Sequence, residues 1–302
     1  MVDLRDILFD SLYEYARQDD KIVFLTADAD AFALKKFKRD FPDRFFNMGV
    51  AEQNAILVAT GLAIGGFKPY IYSITSFMTM RCYEQIKVNI CSMNLPITLI
   101  GLGAGFSFSF DGPTHHAIND IAIMRTLPEM TILNTSDAFT TKECVKLSYN
   151  LKAPAFIRLD KGIYPDYDFT LHLDGFNVIK NLSKVNVIST GTMVHSCVEA
   201  LEGLKIGLVD MYKIKPYSKG ILSDIINLSN KIVVVEENVK YGALSTTILE
   251  YMSEIGVFKP IIKIALEDKQ FFGYADRKWL HEKYGLDINS LREKFINVLS
   301  EV

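Results

Sequence analysis

A carboxylate, Glu52, stands in "FFNMGVAEQN", where a short strand and Gly49 give way to the largely apolar helix "AEQNAILVATGLAIGG", which is expected to be buried. Two roles are open to it. An acid in the first turn of a helix is stabilised by the macrodipole, which asks for no chemistry. Its neighbours Phe46, Met48, Val50, Ala55 and Ile56 are apolar, however, and such surroundings favour the neutral acid, one way in which sites tune a carboxyl group. The loop "FDGPTHHAIND" (110–120) brings Asp, Thr and two histidines together. Gly112-Pro113 forces a turn, and Thr114 or His115 is expected to open a helix reaching Thr126. An imidazole at that mouth can donate to a substrate oxygen or move a proton; the alternative is a capping Thr114 with exposed histidines. Phe77, Met80 and Tyr83 recur at helical spacing, as a core stripe or as a flat wall for an aromatic ligand. "FIRLDKG" sets Arg158 and Lys161 just past a strand, as solvated charges or as captors of an anionic group. "VVVEEN" (233–238) reads as a strand-end turn or subunit contact, with no catalysis assigned.

The elements that must position these groups alternate along the chain. Strands are predicted at 21–28, 68–75, 95–103, 130–136 and 154–160, with helices at 52–64, 77–93, 116–126 and 137–150 after an amphipathic N-terminal helix. Such alternation implies a mainly parallel sheet covered on both faces, with ligands outside the carboxyl ends of its strands. Residues 1–165 form a first α/β domain, the polar stretch 166–184 a linker, and 185–302 a second α/β domain with strands at 185–190, 205–210, 231–238 and 260–266.

The chain has 302 residues, 49% of them hydrophobic, and a net charge of −3. A large core follows, and no electrostatic footprint for nucleic acid. The four cysteines lack paired spacing and suit reduced core thiols. "PITLIGLGAGFSFSF" is too short and glycine-rich to span a membrane, and the N-terminus lacks the pattern of a secretory signal. A cytoplasmic α/β protein is expected. Neither a GxxxxGK[ST] nor a strand-to-helix GxGxxG phosphate loop is present.

Taken in order, "FPDRFFNMGVAEQNAILVATGLAIGGFKPYIYSITSFMTMRCYEQIK", "DGPTHHAINDIAIMRTLPEMTIL", "FIRLDKG" and "KIVVVEENVKYGALST" resemble the C-terminal half of the transketolase family over nearly the whole chain. Deoxyxylulose-phosphate synthase is similar over the same span. The resemblance implies a pyrimidine-binding domain at 1–165, a C-terminal domain at 185–302, and thiamine diphosphate as cofactor. It makes Glu52 the glutamate that hydrogen-bonds the aminopyrimidine ring and so drives proton removal from the thiazolium. It makes Phe77 the ring that stacks on the pyrimidine, with Tyr83 a second wall, and Asp28 an acid on the thiazolium side. His115 becomes the histidine facing substrate oxygens, Asp111 a reader of a sugar hydroxyl, and Arg158, with Lys161, a binder of sugar phosphate.

Two departures stand out. The family carries a further histidine ahead of the Asp-Gly-Pro loop, where this sequence has "GLGAGFSFSF", so substrate recognition is expected to differ. The family's GDG motif, which binds Mg²⁺ and diphosphate, is missing from the sequence. The reading is therefore a C-terminal subunit of a split transketolase, moving a two-carbon ketol unit from a sugar or sugar-phosphate donor to an aldose. An N-terminal subunit with the GDG motif is its partner, and a homodimer core sits within an α2β2 heterotetramer. The alternatives are part of a pyruvate-decarboxylating synthase, a 2-oxoacid dehydrogenase β subunit, and a non-catalytic homodimeric binding module.

Overall fold

The computed structural model describes residues 2–300. Strands and helices are numbered in chain order. The first unit holds α1 (Leu4–Ala16), β1 (Ile22–Thr26), α2 (Leu34–Asp40), β2 (Phe45–Asn47), α3 (Glu52–Ile64) and β3 (Lys68–Ile74). A helical stretch follows in which the short α4 (Tyr83–Gln85) lies between wide π-type turns at Phe77–Arg81 and Ile86–Cys91. Next come β4 (Thr98–Leu102), α5 (Asp120–Arg125), β5 (Thr131–Asn134), α6 (Ala138–Asn150) and β6 (Ala155–Leu159). Strands β1, β4, β5 and β6 are buried at every position, as expected of parallel strands covered on both faces.

The second unit holds β7 (Leu171–Leu173), β8 (Phe176–Lys180), β9 (Val185–Ser189), α7 (Met193–Ala200), β10 (Gly207–Asp210), β11 (Lys213–Lys215) and α8 (Lys219–Leu228). It ends with β12 (Lys231–Val239), α9 (Leu244–Glu254), β13 (Ile261–Leu266), α10 (Arg277–Tyr284) and α11 (Ile288–Ser300). The first sheet runs β11-β5-β6-β4-β3-β1-β2 and the second β13-β12-β9-β10-β8-β7. β11 crosses back to pair antiparallel with β5, so the second part of the chain completes the first sheet.

Three expectations change. The stretch 166–184 is not all linker: β7 and β8 pair with each other, and β8 pairs antiparallel with β10. β7 is a mostly exposed edge and β8 an interior strand buried at four of its five positions, so "LHLDGFNVIK" lacks the alternation of a half-covered strand and reads as loop. The helix expected from His116 starts only at Asp120, because Gly105 and Ala117 exchange two backbone bonds of 3.0 and 2.9 Å and hold the chain extended there. Finally, α3 is apolar but not fully buried: Leu57 and Ile64 are 49% and 62% exposed.

Candidate active site

The carboxyl ends of β2, β3, β4 and β6 deliver most of the singled-out residues to one region. Glu52 opens α3 and is only 4% exposed. The turn ahead of it is fixed by Asn47, whose side-chain oxygen accepts from the Gly49 amide at 3.0 Å; Gly49 itself has φ +67, a conformation glycine adopts without strain. Arg81 donates from Nη1 to Glu52 Oε2 at 2.8 Å. The same guanidinium lies 4.5 Å from the centroid of the Phe77 ring. Phe77 meets the His115 imidazole edge to face at 4.8 Å. Phe108 flanks His115 from 5.9 Å, and the Lys161 ammonium sits 4.1 Å from the Phe108 centroid. Glu52, Arg81, Phe77, His115, Phe108 and Lys161 thus form one continuous run of contacts.

The loop that carries His115 is tied down locally. Ser76, just ahead of Phe77, donates its hydroxyl to the Thr114 carbonyl at 3.1 Å. The Thr114 hydroxyl lies 3.0 Å from His115 Nδ1. Burial, followed by the charge of Glu52, pushes the Cys82 thiol up to about 12, which keeps it a neutral wall. Burial lowers the His116 imidazole, an effect that the Ser109 carbonyl and Glu237 partly oppose; His116 is turned inward against Phe106 at 4.9 Å.

Other expected residues stand apart. Asp28 is exposed beyond β1, with φ +59, and its Oδ1 accepts from Asn47 Nδ2 at 3.1 Å. It flanks the turn into Glu52 through Asn47. Asp111 is exposed on the His115 loop. Tyr83 packs partly into the core and its hydroxyl pairs with Thr126 Oγ1 at 2.6 Å, so it makes a wall of α5 and not of the Phe77 face. Arg158 corrects the sequence reading most. It is 3% exposed, its Nε donates to Asp120 Oδ2 at 2.6 Å and its Nη2 to the Ala117 carbonyl at 2.9 Å. The Arg158 donors are thus turned to Asp120 and Ala117 inside the protein, and of the two cations expected to bind a sugar phosphate Lys161 is the one left facing the site.

The sequence reading missed Arg81 and Phe108. Arg81 lies four residues after Phe77, a spacing that places two side chains on one helical face. Phe108 packs so closely on Gly103 that an added methyl group there would come within 2.3 Å of its ring. No pattern within "GFSFSF" marks which of its aromatics turns toward the site. Among the described residues no group of His, Cys, Asp and Glu has the geometry to hold a metal ion, and no helix is long and apolar enough to cross a membrane.

Residues 1–166 match the transketolase pyrimidine-binding domain and 175–291 the transketolase C-terminal domain. The chain is 33% identical to 1-deoxy-D-xylulose-5-phosphate synthase of Caldanaerobacter subterraneus subsp. tengcongensis, across 98% of this chain and 49% of that protein. It spans about half the length of the synthases it matches. It is 30% identical to a subunit of the apulose-4-phosphate transketolase of Phocaeicola vulgatus, across 95% of this chain and 94% of that one. Among solved structures, a split-gene transketolase described as an inactive β4 tetramer superposes with a TM-score of 0.87 at 31% identity, covering 99% of both chains. A transketolase of Pichia stipitis shares the fold, with a TM-score of 0.83 at 16% identity over 46% of its length. Two domain matches in order, and likeness end to end with a subunit of the same length, mean that this chain belongs to the transketolase family and carries its pyrimidine-binding and C-terminal domains.

Proposed function

We propose that this chain is one half of a two-chain, thiamine-diphosphate-dependent ketol transferase. An N-terminal subunit bearing a GDG motif supplies the Mg²⁺ and diphosphate contacts, and the assembly is an α2β2 heterotetramer in the cytoplasm. One observation carries the reading: a planar cation, the Arg81 guanidinium, lies 4.5 Å from the Phe77 centroid and donates to the buried Glu52 at 2.8 Å. It occupies the position that a flat, N–H-donating pyrimidine requires, so Glu52 and Phe77 fit that half of the cofactor once Arg81, 46% exposed, swings out.

When bound, the cofactor supplies the electron sink for cleaving a bond beside a ketose carbonyl. Glu52 then holds a proton at the pyrimidine nitrogen, fixed by the rigid head of α3. Phe77 stacks on the ring. His115, held by Thr114 and Phe77, donates to a substrate oxygen, with Asp111 reading a hydroxyl and Lys161 attracting an anionic group. Asp28 stands on the remaining side of the turn. The exposed apolar residues Leu57, Val58 and Ile64 of α3 support a homodimer core. The requirement for a second chain is supported by the split-gene relative, inactive as a tetramer of its β chain.

The test is to purify the chain with a GDG-containing chain encoded beside it, add Mg²⁺ and thiamine diphosphate, and assay ketol transfer from ketose donors. Activity that Glu52→Ala abolishes is the expected result; full activity in that variant overturns the mechanism. The likeness to deoxyxylulose-phosphate synthases favours one further arm, pyruvate as donor, and turnover of pyruvate in place of ketoses moves the chain to that chemistry.

A further inference from the structure

The loop 106–116 carries Phe108, Asp111 and His115, and its two ends meet at the Gly105–Ala117 bridge. That bridge belongs to the first unit, yet three successive residues of β12 in the second unit grip it. The Val239 amide donates to the Ile118 carbonyl at 2.8 Å. Asn238 Nδ2 donates to Asp120 Oδ1 at 3.1 Å. Glu237 lies directly against Gly105: a methyl group added there would sit 1.9 Å from Glu237 Oε2 and 2.3 Å from its Cδ. Gly105 also has φ +53, so both the backbone conformation and the approach of the carboxylate require glycine.

Glu237 is itself immobilised. It is 3% exposed, bonded to the His281 imidazole and twice to Arg277, once at 3.0 Å from Nε. Arg277 reaches on to Asp160 at 2.6 Å and to Thr192 at 3.1 Å, and Asp160 directly precedes Lys161. Phe106, the first residue past the bridge, is fully buried in the second unit's core against Phe271 at 5.3 Å. The tip of this eleven-residue loop, Phe110 and Asp111, is exposed, and fixing the base from outside narrows its freedom together with the Ser76–Thr114 tie.

We propose that Glu237 is a positioning residue for the substrate-facing loop: its carboxylate, braced by Arg277 and His281, seats Gly105 and through the Gly105–Ala117 bridge sets where His115 stands. This gives the C-terminal domain a part in substrate recognition, and the catalytic half of the claim rests on the function proposed above.

Glu237→Asp keeps the charge for Arg277 but withdraws the carboxylate from Gly105 by one methylene. In hydrogen exchange on the isolated chain, residues 106–116 should exchange faster while α3 keeps its protection. In the reconstituted complex the acceptor KM should rise on the order of tenfold or more, with kcat less affected and the thermal midpoint near the parental value. Gly105→Ala should shift KM in the same direction, and the double variant should recover part of the loss, since the shorter side chain leaves room for the methyl group. Parental exchange and KM in Glu237→Asp overturn the proposal. So does a loss of protection spread evenly over both units, which marks a purely structural role. If the parental complex turns over no donor, the functional reading fails, and exchange in the loop still decides the clamp.

Discussion

Two buried glutamates face two arginines, and their fates differ. Glu52 and Glu237 are 4% and 3% exposed, and each accepts from a guanidinium. Arg81 is nearly half exposed and holds Glu52 by one bond while lying over a ring. Arg277 is 19% exposed and distributes its donors over Glu237, Asp160, Tyr164 and Thr192. The half-exposed Arg81 can swing into solvent at the cost of one hydrogen bond, whereas Arg277 is tied to four partners and has no such freedom. What makes a buried acid available for chemistry is the freedom of its partner, more than its own burial.

The largest expected effect separates the two acids by activity. Glu52→Gln in the reconstituted complex should lower donor turnover about 10²–10⁴-fold, as expected for a lost proton-transfer group, with thermal unfolding unchanged. A turnover near parental would place Glu52, like Glu237, among acids that do not touch the reacting atoms.

Arg277→Ala should act on stability instead. It leaves Glu237 and Asp160 buried without their cation, and breaking such a pair costs about 3–5 kcal/mol, to be read by denaturant unfolding. The pH dependence has a definite sign. Burial by itself would raise the Glu237 carboxyl, but Arg277 and His281 outweigh that and hold it well below the usual carboxylate range. Its stabilisation is therefore complete above the ordinary glutamate range and is lost as pH falls through and below it.

A third buried acid sharpens the contrast by its lack of any cation. Asp210 accepts from the Ser136 hydroxyl at 2.6 Å, while its Oδ1 has no partner among the described residues. Burial pushes its carboxyl well up, the Ser136 bond opposes this and the charge of Asp137 adds to it. The folded state thus holds a proton that the unfolded chain releases, so this group's contribution falls as pH rises above the ordinary aspartate range. Asp210→Asn should stabilise the chain by about 1–3 kcal/mol at pH 7 and leave stability near pH 3 unchanged. A destabilised variant at pH 7 would show that Asp210 is ionised and paired.

Arg81→Ala should give the smallest change, a loss below that of Arg277→Ala, because Arg81 is half in solvent and gives Glu52 a single hydrogen bond. A loss as large as that in Arg277→Ala would erase the distinction between the two sites.

Much of this was legible in the chain. The strand positions, the parallel sheets and the turn into Glu52 follow from apolar runs and glycines, because these are local rules of burial and backbone freedom. The grouping of Glu52, Phe77 and His115 followed from the order of motifs. Arg158 did not: nothing local distinguishes an arginine near the end of β6 that points into solvent from one that turns to Asp120. The edge strand β7 and its neighbour β8 were hidden for a similar reason, since one is mostly exposed and the other mostly buried, and neither alternates.

The sequence by itself determined which residue types stand at the carboxyl ends of the strands, since hydrophobic periodicity and turn chemistry act over a few neighbouring positions. Only the tertiary structure decided which of those charges stay free. That choice depends on partners far apart in the chain, such as Arg158 with Asp120 and Glu237 with Arg277, where desolvation and pairing are set by packing that no local stretch encodes.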